Sequence, residues 1–503
     1  MNRFLYSLIM WLGILAVFGL SLVLNLTNHD FPLGYHFDEP KKVMFVLTGE
    51  QDFHHPILML ELVRSANQWG TSRTPQEVVE LGRTIMAVVG ALIPVVMILV
   101  AMPYLGRGAA VLVGAVLAVT PTMVLHSHYL KEDILLVLLS WAALGGFSQY
   151  FRTRNEAWLL VAGLCWGFAM GSHYKGLLVG VVTVPFLLFD RAFTWKMRGV
   201  WLLLISGLAV LGFLLTNAVI LDKWEVFVSG FNHERNHALN GHFVPIYWSD
   251  FYLTYHLQYS LLPGLTYGLG VAAVGSCLWW TVRVRSLQLG ERLWLTFVWV
   301  SYLVPEISPL KPNPDEARYI LPMVPGLMFF LVKSWQSLWL VRWQTFAEAR
   351  TATSATGRHW PQPVWRGSLV LIGVMMVGLA AYDTVQLNHY LNRDTRAELA
   401  TWAESPGIKL FGEPMTGTDI DVQYAYDVDM QRLRQDGYTH FALSSFAYDP
   451  YLVTAHLAGQ SPAVQARRSA YLALLQQGEI KFEPKHRSFG FSNPTLAVVE
   501  LQQ

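Results

Sequence analysis

Long apolar runs recur along the chain, and they constrain it more than any other feature. A helix that crosses a bilayer needs roughly 20 apolar residues. Runs of that order fall at 4–26, 84–104, 108–126, 133–150, 157–172, 176–190, 199–220, 264–282, 292–306, 319–341 and 367–387. They predict a polytopic α-helical membrane protein with about eleven transmembrane helices. The chain is 53% hydrophobic and 14% charged, against about 25% charged in soluble domains. Its net charge of +1 excludes a nucleic-acid binder, which carries a basic excess. The two cysteines, Cys165 and Cys277, sit inside apolar runs and make neither a disulfide framework nor a CxxC metal site. The first run is too long for a signal peptide and lacks a small-residue cleavage site, so it reads as a membrane helix.

Basic residues orient the spans. Arg107, then Arg152 and Arg154, then Arg191, Lys196 and Arg198, then Arg283, Arg285 and Arg292, then Arg342, Arg350, Arg358 and Arg366 fall in alternate connections. The positive-inside rule makes that side cytoplasmic, together with the N-terminus. The outer connections are then 27–83, 126–132, 172–176, 221–263, 306–318 and a tail from about 388, and they hold most of the histidines and the acid pairs. The inner stretch 342–366 reads as a linker. In the tail, Gly437 to Ser445 predicts a turn and strand, 463–477 an amphipathic helix, and Thr495 to Leu501 a closing strand. The expected division is a membrane unit, 1–387, and a small C-terminal α/β extracytoplasmic domain, 388–503.

Five outer clusters could carry chemistry. In His36-Phe37-Asp38-Glu39-Pro40, adjacent acids cannot face one point, so one can meet a reacting group while the other supports it. The plain alternative is that Asp38 caps the helix that follows. His126-Ser127-His128-Tyr129-Leu130-Lys131-Glu132-Asp133 packs two histidines, a lysine and two acids into a turn between spans, where ionisable groups are functional candidates. Its alternative is a solvated turn. Gly171-Ser172-His173-Tyr174-Lys175-Gly176 is a second tight outer turn. His233 and His237 flank Glu234 at i, i+4 spacing on one helix face, which suits a divalent metal but shows no third ligand. The prolines between Ser308 and Pro322 forbid a continuous helix and hold Lys311 near Arg318. With Arg318 opening an outward-facing helix, that pair makes an anion site suited to phosphate, or else a lipid-headgroup anchor.

An outer acid pair after the first span, a second acidic turn, and Arg318-Tyr319-Ile320-Leu321-Pro322 opening a late helix resemble the GT-C glycosyltransferases. The likeness covers about residues 1–390 and is similar to the branch of protein O-mannosyltransferases and lipid A aminoarabinose transferases. No extended sequon-binding motif of the oligosaccharyltransferases is present, which counts against N-linked transfer. The resemblance implies a GT-C fold and an inverting hexosyl- or pentosyltransferase. Its donor would be a polyprenyl-phosphate-linked sugar and its acceptor a hydroxyl on a protein, lipid or glycan, with membrane lipid around it and no nucleic acid. It implies catalytic acids at Asp38, Glu39, Glu132 and Asp133, with Asp38 as base. It implies a substrate or phosphate side at Lys311, Arg318, Tyr319, Lys131, His128, His173, Lys175 and His55. No cofactor is fixed, and a divalent metal stays open, with His233, Glu234 and His237 as its candidates. A bacterial inner membrane is the expected home. The rival reading is a transporter of a lipid-linked or anionic substrate, but the charges crowd one outer face and the halves show no symmetry.

Overall fold

The computed structural model describes residues 3–70, 73–240, 244–245, 253–308, 310–311, 316–352, 362–417, 423–452, 461–478, 480–485 and 493–501. The expected Pro312–Asp315 segment and linker residues 353–361 lie outside this set. The first helix is α1 (Arg3–Leu26), followed by two short helices, α2 (Glu39–Thr48) and α3 (Leu58–Gln68). Then come α4 (Pro75–Leu105), α5 (Arg107–Ala118), α6 (Pro121–Ser127), α7 (Asp133–Thr153), α8 (Ala157–Ser172), α9 (Leu177–Leu188) and α10 (Trp195–Thr216). Helix α11 (Trp224–Asn240) leads to the short α12 (Leu262–Gly264), α13 (Tyr267–Val282), α14 (Leu289–Ile307), α15 (Val324–Ala352) and α16 (Gln362–Leu391).

Every expected span falls on one of these helices or on a bent helix pair. Among the described residues, five helices are long and apolar enough to cross a membrane, or up to seven if each bent pair counts as one span. The α5–α6 pair bends by 61° and the pair ending in α13 by 111°. The second bend sits at Thr266, a non-glycine residue at φ +65°. Its hydroxyl donates to Asp383 of α16 at 2.8 Å, which fixes the kink from a neighbouring helix. The stretch 342–366 departs from the linker reading, because α15 runs to Ala352 and α16 starts at Gln362. Arg318 does not open a helix either. Residues Ala317–Tyr319 and Leu321–Met323 form 3-10 turns, and α15 begins only at Val324. The successive prolines and the turn at Ile320 delay the α-helix.

Lipid tails are as apolar as leucine, so membrane helices associate through close packing rather than through burial from water. Gly163, Gly167 and Gly171 repeat at four-residue spacing along one face of α8. A side chain at Gly163 would press on the Ile205 carbonyl, one at Gly167 would collide with the Ala209 carbonyl, and one at Gly171 with the Thr216 hydroxyl. This seam locks α8 to α10. Toward the centre, Trp141, Trp294, Phe297 and Phe329 are buried and stack edge to face. The Trp141 indole donates to the Pro322 carbonyl at 2.8 Å, which ties α7 to the turn that carries Arg318.

Beyond α16 the composition change marks a small sheet domain. Its helices are α17 (Thr395–Ala403), α18 (Met430–Gln435), α19 (Ser445–Leu452) and α20 (Pro462–Gln477). A two-residue ladder, β1 (Val244–Pro245) with β2 (Leu310–Lys311), lies earlier in the chain. The domain's four strands are β3 (Leu410–Gly412), β4 (His440–Ser444), β5 (Ile480–Phe482) and β6 (Leu496–Glu500), in the order β3-β4-β6-β5. β3 runs parallel to β4, and the other pairs are antiparallel. The strand after Gly437, the helix over 463–477 and the closing strand all form near their expected positions. The domain core is aromatic: Phe411, Phe441, Tyr448, Tyr451 and Tyr471.

The Gly163–Gly171 seam yields a direct test. Gly167→Val should cost ~1–3 kcal/mol through overpacking, read as a lower melting temperature of the detergent-purified protein. An exposed control, Gly199→Ala, where an added Cβ meets no atom within 4 Å, should leave it unchanged.

Candidate active site

Asp38 stands at the N-cap position of α2, but its side chain makes no capping hydrogen bond. Pro40 fixes the first turn of α2, and the carboxylate is left for other partners. Its Oδ2 lies 2.5 Å from Lys131 Nζ and 3.2 Å from Arg318 Nη1. The Asp38 side chain remains 27% exposed, so a small molecule can reach it. Burial raises this carboxyl, but Lys131 and then Arg318 outweigh burial and hold it well below the usual carboxylate range. His36 orients the loop. Its Nδ1 accepts the Asp38 backbone N–H at 3.2 Å, and its ring packs between Phe37 and Tyr129.

Glu39 points the other way and is fully buried. Arg83 of α4 grips it with two hydrogen bonds, Nε to Oε1 at 3.0 Å and Nη2 to Oε2 at 2.5 Å. Leu130 N–H donates to the same carboxylate at 2.9 Å. Arg83 also donates to the carbonyls of His29 and Phe31 and stacks on the Phe31 ring. Both charges are therefore neutralised and hydrogen-bonded, which a buried pair requires. This geometry ties the start of α2, next to Asp38, to α4 and to the turn before α7.

The second acidic turn arrives at the same spot. Glu132, also buried, sets Oε2 2.6 Å from Lys42 Nζ and Oε1 3.2 Å from His55 Nε2. Lys131 Nζ approaches that Oε1 at 3.3 Å. Lys42 is a buried partner of Glu132. Asp133 opens α7, and its buried Oδ2 has no hydrogen-bond partner among the described residues. His128 sets its ring nitrogens 2.7 Å from the Val124 carbonyl and 3.0 Å from that of Thr27, so it braces the turn against the end of α1. His173 receives the Lys175 N–H on Nδ1 at 3.1 Å and lays its ring 4.8 Å from that of His55. His54 stacks on His233 at 4.0 Å, and His233 lies parallel to His237 at 6.3 Å. Glu234 Oε1 reaches to 3.4 Å from His55 Nε2.

The cations divide unequally. Lys175 Nζ sits 4.3 Å from the centre of the Tyr319 ring and has no carboxylate within 4.0 Å among the described residues. Burial pulls its amine down to about 8. Arg318 donates to the Tyr319 hydroxyl at 3.1 Å, sets Nε 3.2 Å from Glu316, and lies over the Phe37 ring. Lys311, expected to face phosphate beside Arg318, donates instead to the Pro305 carbonyl at 3.1 Å and the Glu306 carbonyl at 2.5 Å. The Glu306 carboxylate stands 3.4 Å away, so Lys311 serves the end of α14.

The sheet domain closes over this cluster. Phe446 packs 5.9 Å from Phe37, the residue beside Asp38. Met415 and Phe446 join Phe31, Tyr35, Tyr129 and Ala317 in one apolar group. Arg396 grips Asp394, donates to the Tyr35 carbonyl at 2.6 Å and stacks over the Tyr35 ring.

Sequence reasoning missed Arg83, Glu316 and the Phe446 contact. An arginine at the edge of an apolar helix was a signal for a buried acid partner. Nothing local in the sequence announces Phe446. Glu39→Gln should leave Arg83 buried without its counter-charge and cost ~3–5 kcal/mol, read by thermal denaturation in detergent. The double variant Glu39→Gln/Arg83→Met should recover much of that loss.

Comparisons with known proteins agree with this architecture. Residues 77–215 match the family model described as dolichyl-phosphate-mannose-protein mannosyltransferase. No curated protein sequence matches the chain significantly. Among solved structures, the chain is similar to ArnT from Cupriavidus metallidurans bound to undecaprenyl phosphate, at 15% identity and a TM-score of 0.51, covering 99% of this chain and 98% of that one. It is also similar to the oligosaccharyltransferase AglB from Archaeoglobus fulgidus in complex with an inhibitory peptide and a dolichol-phosphate, at 11% identity and a TM-score of 0.51, covering 95% and 74% of the two chains. These likenesses show the fold that the chain shares with ArnT and AglB, and the mannosyltransferase family model matches residues 77–215 of it.

Proposed function

We propose that the chain moves a sugar, with inversion, from a polyprenyl-phosphate donor to an acceptor hydroxyl on a protein, lipid or glycan at the outer face of a membrane. One observation carries the reading. Asp38, released from capping duty and still reachable, lies against Lys131 and Arg318, with Lys175 close to Tyr319 and, among the described residues, without a carboxylate partner. A carboxylate held between two cations, with a third cation close by, is what transfer from a phosphate-linked sugar requires. The lipid phosphates bound by ArnT and AglB support this donor class. Basic inner connections favour a cytoplasmic N-terminus and an outward-facing site, and a bacterial inner membrane suits that topology. The chain divides in this reading into a catalytic membrane unit, 1–387, and an extracytoplasmic domain, 388–503.

In the reaction, the acceptor hydroxyl attacks the anomeric carbon as the bond from that carbon to the phosphate oxygen breaks. The hydroxyl proton goes to Asp38, and the polyprenyl phosphate leaves with one more negative charge. Arg318, Lys175 and Lys131 face that growing charge. An acid held this low is a weak base in the free protein. The incoming phosphate competes for Arg318 and Lys131, weakens their hold on Asp38 and raises its basicity when substrate is present. Glu39 and Glu132 keep the two loops in place, and Tyr319 holds Arg318 and Lys175.

Two tests follow from this chemistry. With a radiolabelled polyprenyl-phosphate sugar and an acceptor, Asp38→Asn should lower turnover at least ~100-fold while the protein still elutes as a folded species. Activity above about a tenth of wild type would remove Asp38 from the base role. Lys175 is charged below its pKa and neutral above it, so affinity for polyprenyl phosphate should fall as pH rises past about 8. Lys175→Arg should flatten that fall, and Lys175→Met should weaken binding ~10–100-fold at neutral pH.

A further inference from the structure

We propose that the outer loops hold one zinc-class divalent cation between His55, Glu132 and His173, with Glu234 as fourth donor. The site does not include the proposed base Asp38 and differs from the His233–His237 pairing that helical spacing suggests. One ligand atom from each of His55, Glu132 and His173 lies within 4.8 Å of the others. His55 Nε2 is 3.2 Å from Glu132 Oε1 and 3.4 Å from Glu234 Oε1. Metal–ligand bonds of about 2.0–2.2 Å place neighbouring tetrahedral donors ~3.3–3.5 Å apart. Two edges of the tetrahedron are therefore nearly formed, and the edges from His173 to His55 and Glu132, both within 4.8 Å, close with side-chain movements of ~1 Å.

The bonding around the group points the same way. Glu132 Oε1 is buried beside an imidazole, yet it has no hydrogen-bond partner among the described residues, so the 3.2 Å approach is not an aligned hydrogen bond. The other carboxylate oxygen is held by Lys42 at 2.6 Å, which is how outer groups fix a ligating carboxylate. His173 uses Nδ1 to accept the Lys175 N–H, which leaves Nε2 for a metal. The cation facing Glu132 Oε1 is Lys131, at 3.3 Å, and it sits closer to Asp38, at 2.5 Å. A dication would send Lys131 wholly to Asp38. Two imidazole nitrogens and two carboxylate oxygens suit zinc better than magnesium or calcium, which prefer all-oxygen shells.

The four donors come from four separate outer segments. His55 belongs to the loop before α3, Glu132 to the turn before α7, His173 to the turn after α8, and Glu234 to α11. A bound metal would cross-link all four and clamp α11 over the Asp38 cluster.

The test uses the full-length, tag-free protein in detergent, stripped with chelator and reloaded with zinc chloride. The expected results are one zinc per chain by mass spectrometry and a higher melting temperature than the stripped protein. His55→Ala and His173→Ala should each weaken zinc binding at least ~100-fold and abolish the zinc-dependent shift. Their melting temperatures without metal report whether they fold. Lys42→Met should weaken binding ~10-fold. His233→Ala and His237→Ala should keep the metal. A wild-type protein that takes up no zinc, a His173→Ala protein that folds and keeps it, or loss only in His233→Ala and His237→Ala would each overturn the assignment. None of these readouts depends on sugar transfer, so the site stands or falls apart from the glycosyltransferase reading.

Discussion

The arrangement depends on the buried pair between Glu39 and Arg83. A carboxylate and a guanidinium removed from water carry a desolvation cost of several kcal/mol each, offset only if every hydrogen-bonding position is filled. Here Arg83 takes both carboxylate oxygens and two loop carbonyls, and Leu130 N–H adds a third bond to Glu39. That last bond links the two acid motifs. Glu39 receives Leu130, and their neighbours in the chain, Asp38 and Lys131, pair in turn. One buried carboxylate thus sets the register of the first outer loop against the turn before α7. Asp38 gains a fixed position without itself being buried.

Around that anchor the charges are arranged rather than merely balanced. Lys42 is spent on Glu132, Lys311 on the Glu306 end of α14, and Arg83 on Glu39. Lys131 and Arg318 are shared with the part-exposed Asp38, and among the described residues Lys175 has no carboxylate within 4.0 Å and lies on the face of Tyr319. Under the proposed function, a phosphate would meet Lys175 directly and would compete with Asp38 for Lys131 and Arg318. Fixed positive groups in a partly dry cleft stabilise a developing phosphate charge more than mobile groups in water do, because they need no reorganisation at the moment of bond cleavage.

The membrane architecture was legible because its signal is long: a run of some twenty apolar residues leaves few alternatives. The sharing of one site by Asp38, Glu132, His173, Glu234 and Arg318 was legible through loop polarity, since alternate basic connections put all five on one side. The pairings were not legible. Lys311 and Lys42 are interchangeable with Lys131 by type, and only the path of the chain decides which acid each meets. Arg318 was read as the start of a helix, but Pro322 and the turn at Ile320 delay α15 to Val324. Spacing on α11 drew attention to His233 and His237, whose rings stack with each other, while Glu234 between them turns toward His55. Periodicity identifies a shared helix face but not what another loop brings to it.

The sheet domain follows from the same limit. Its strands and its long helix could be read locally, but its docking depends on contacts far apart in sequence, Arg396 on Tyr35 and Phe446 on Phe37. Those contacts put the domain in mechanical series with the charge cluster. Phe446 bears on Phe37, Phe37 underlies the Arg318 guanidinium, and Arg318 reaches Asp38. Aromatic packing is short-ranged, so displacing the domain by even an ångström would forfeit much of the contact between Phe446 and Phe37. Under the proposed function, an acceptor entering between domain and membrane unit meets Asp38 and this aromatic stack together. Acceptor fit and the hold of Arg318 on Asp38 are then set by one layer of side chains, contributed by both parts of the chain.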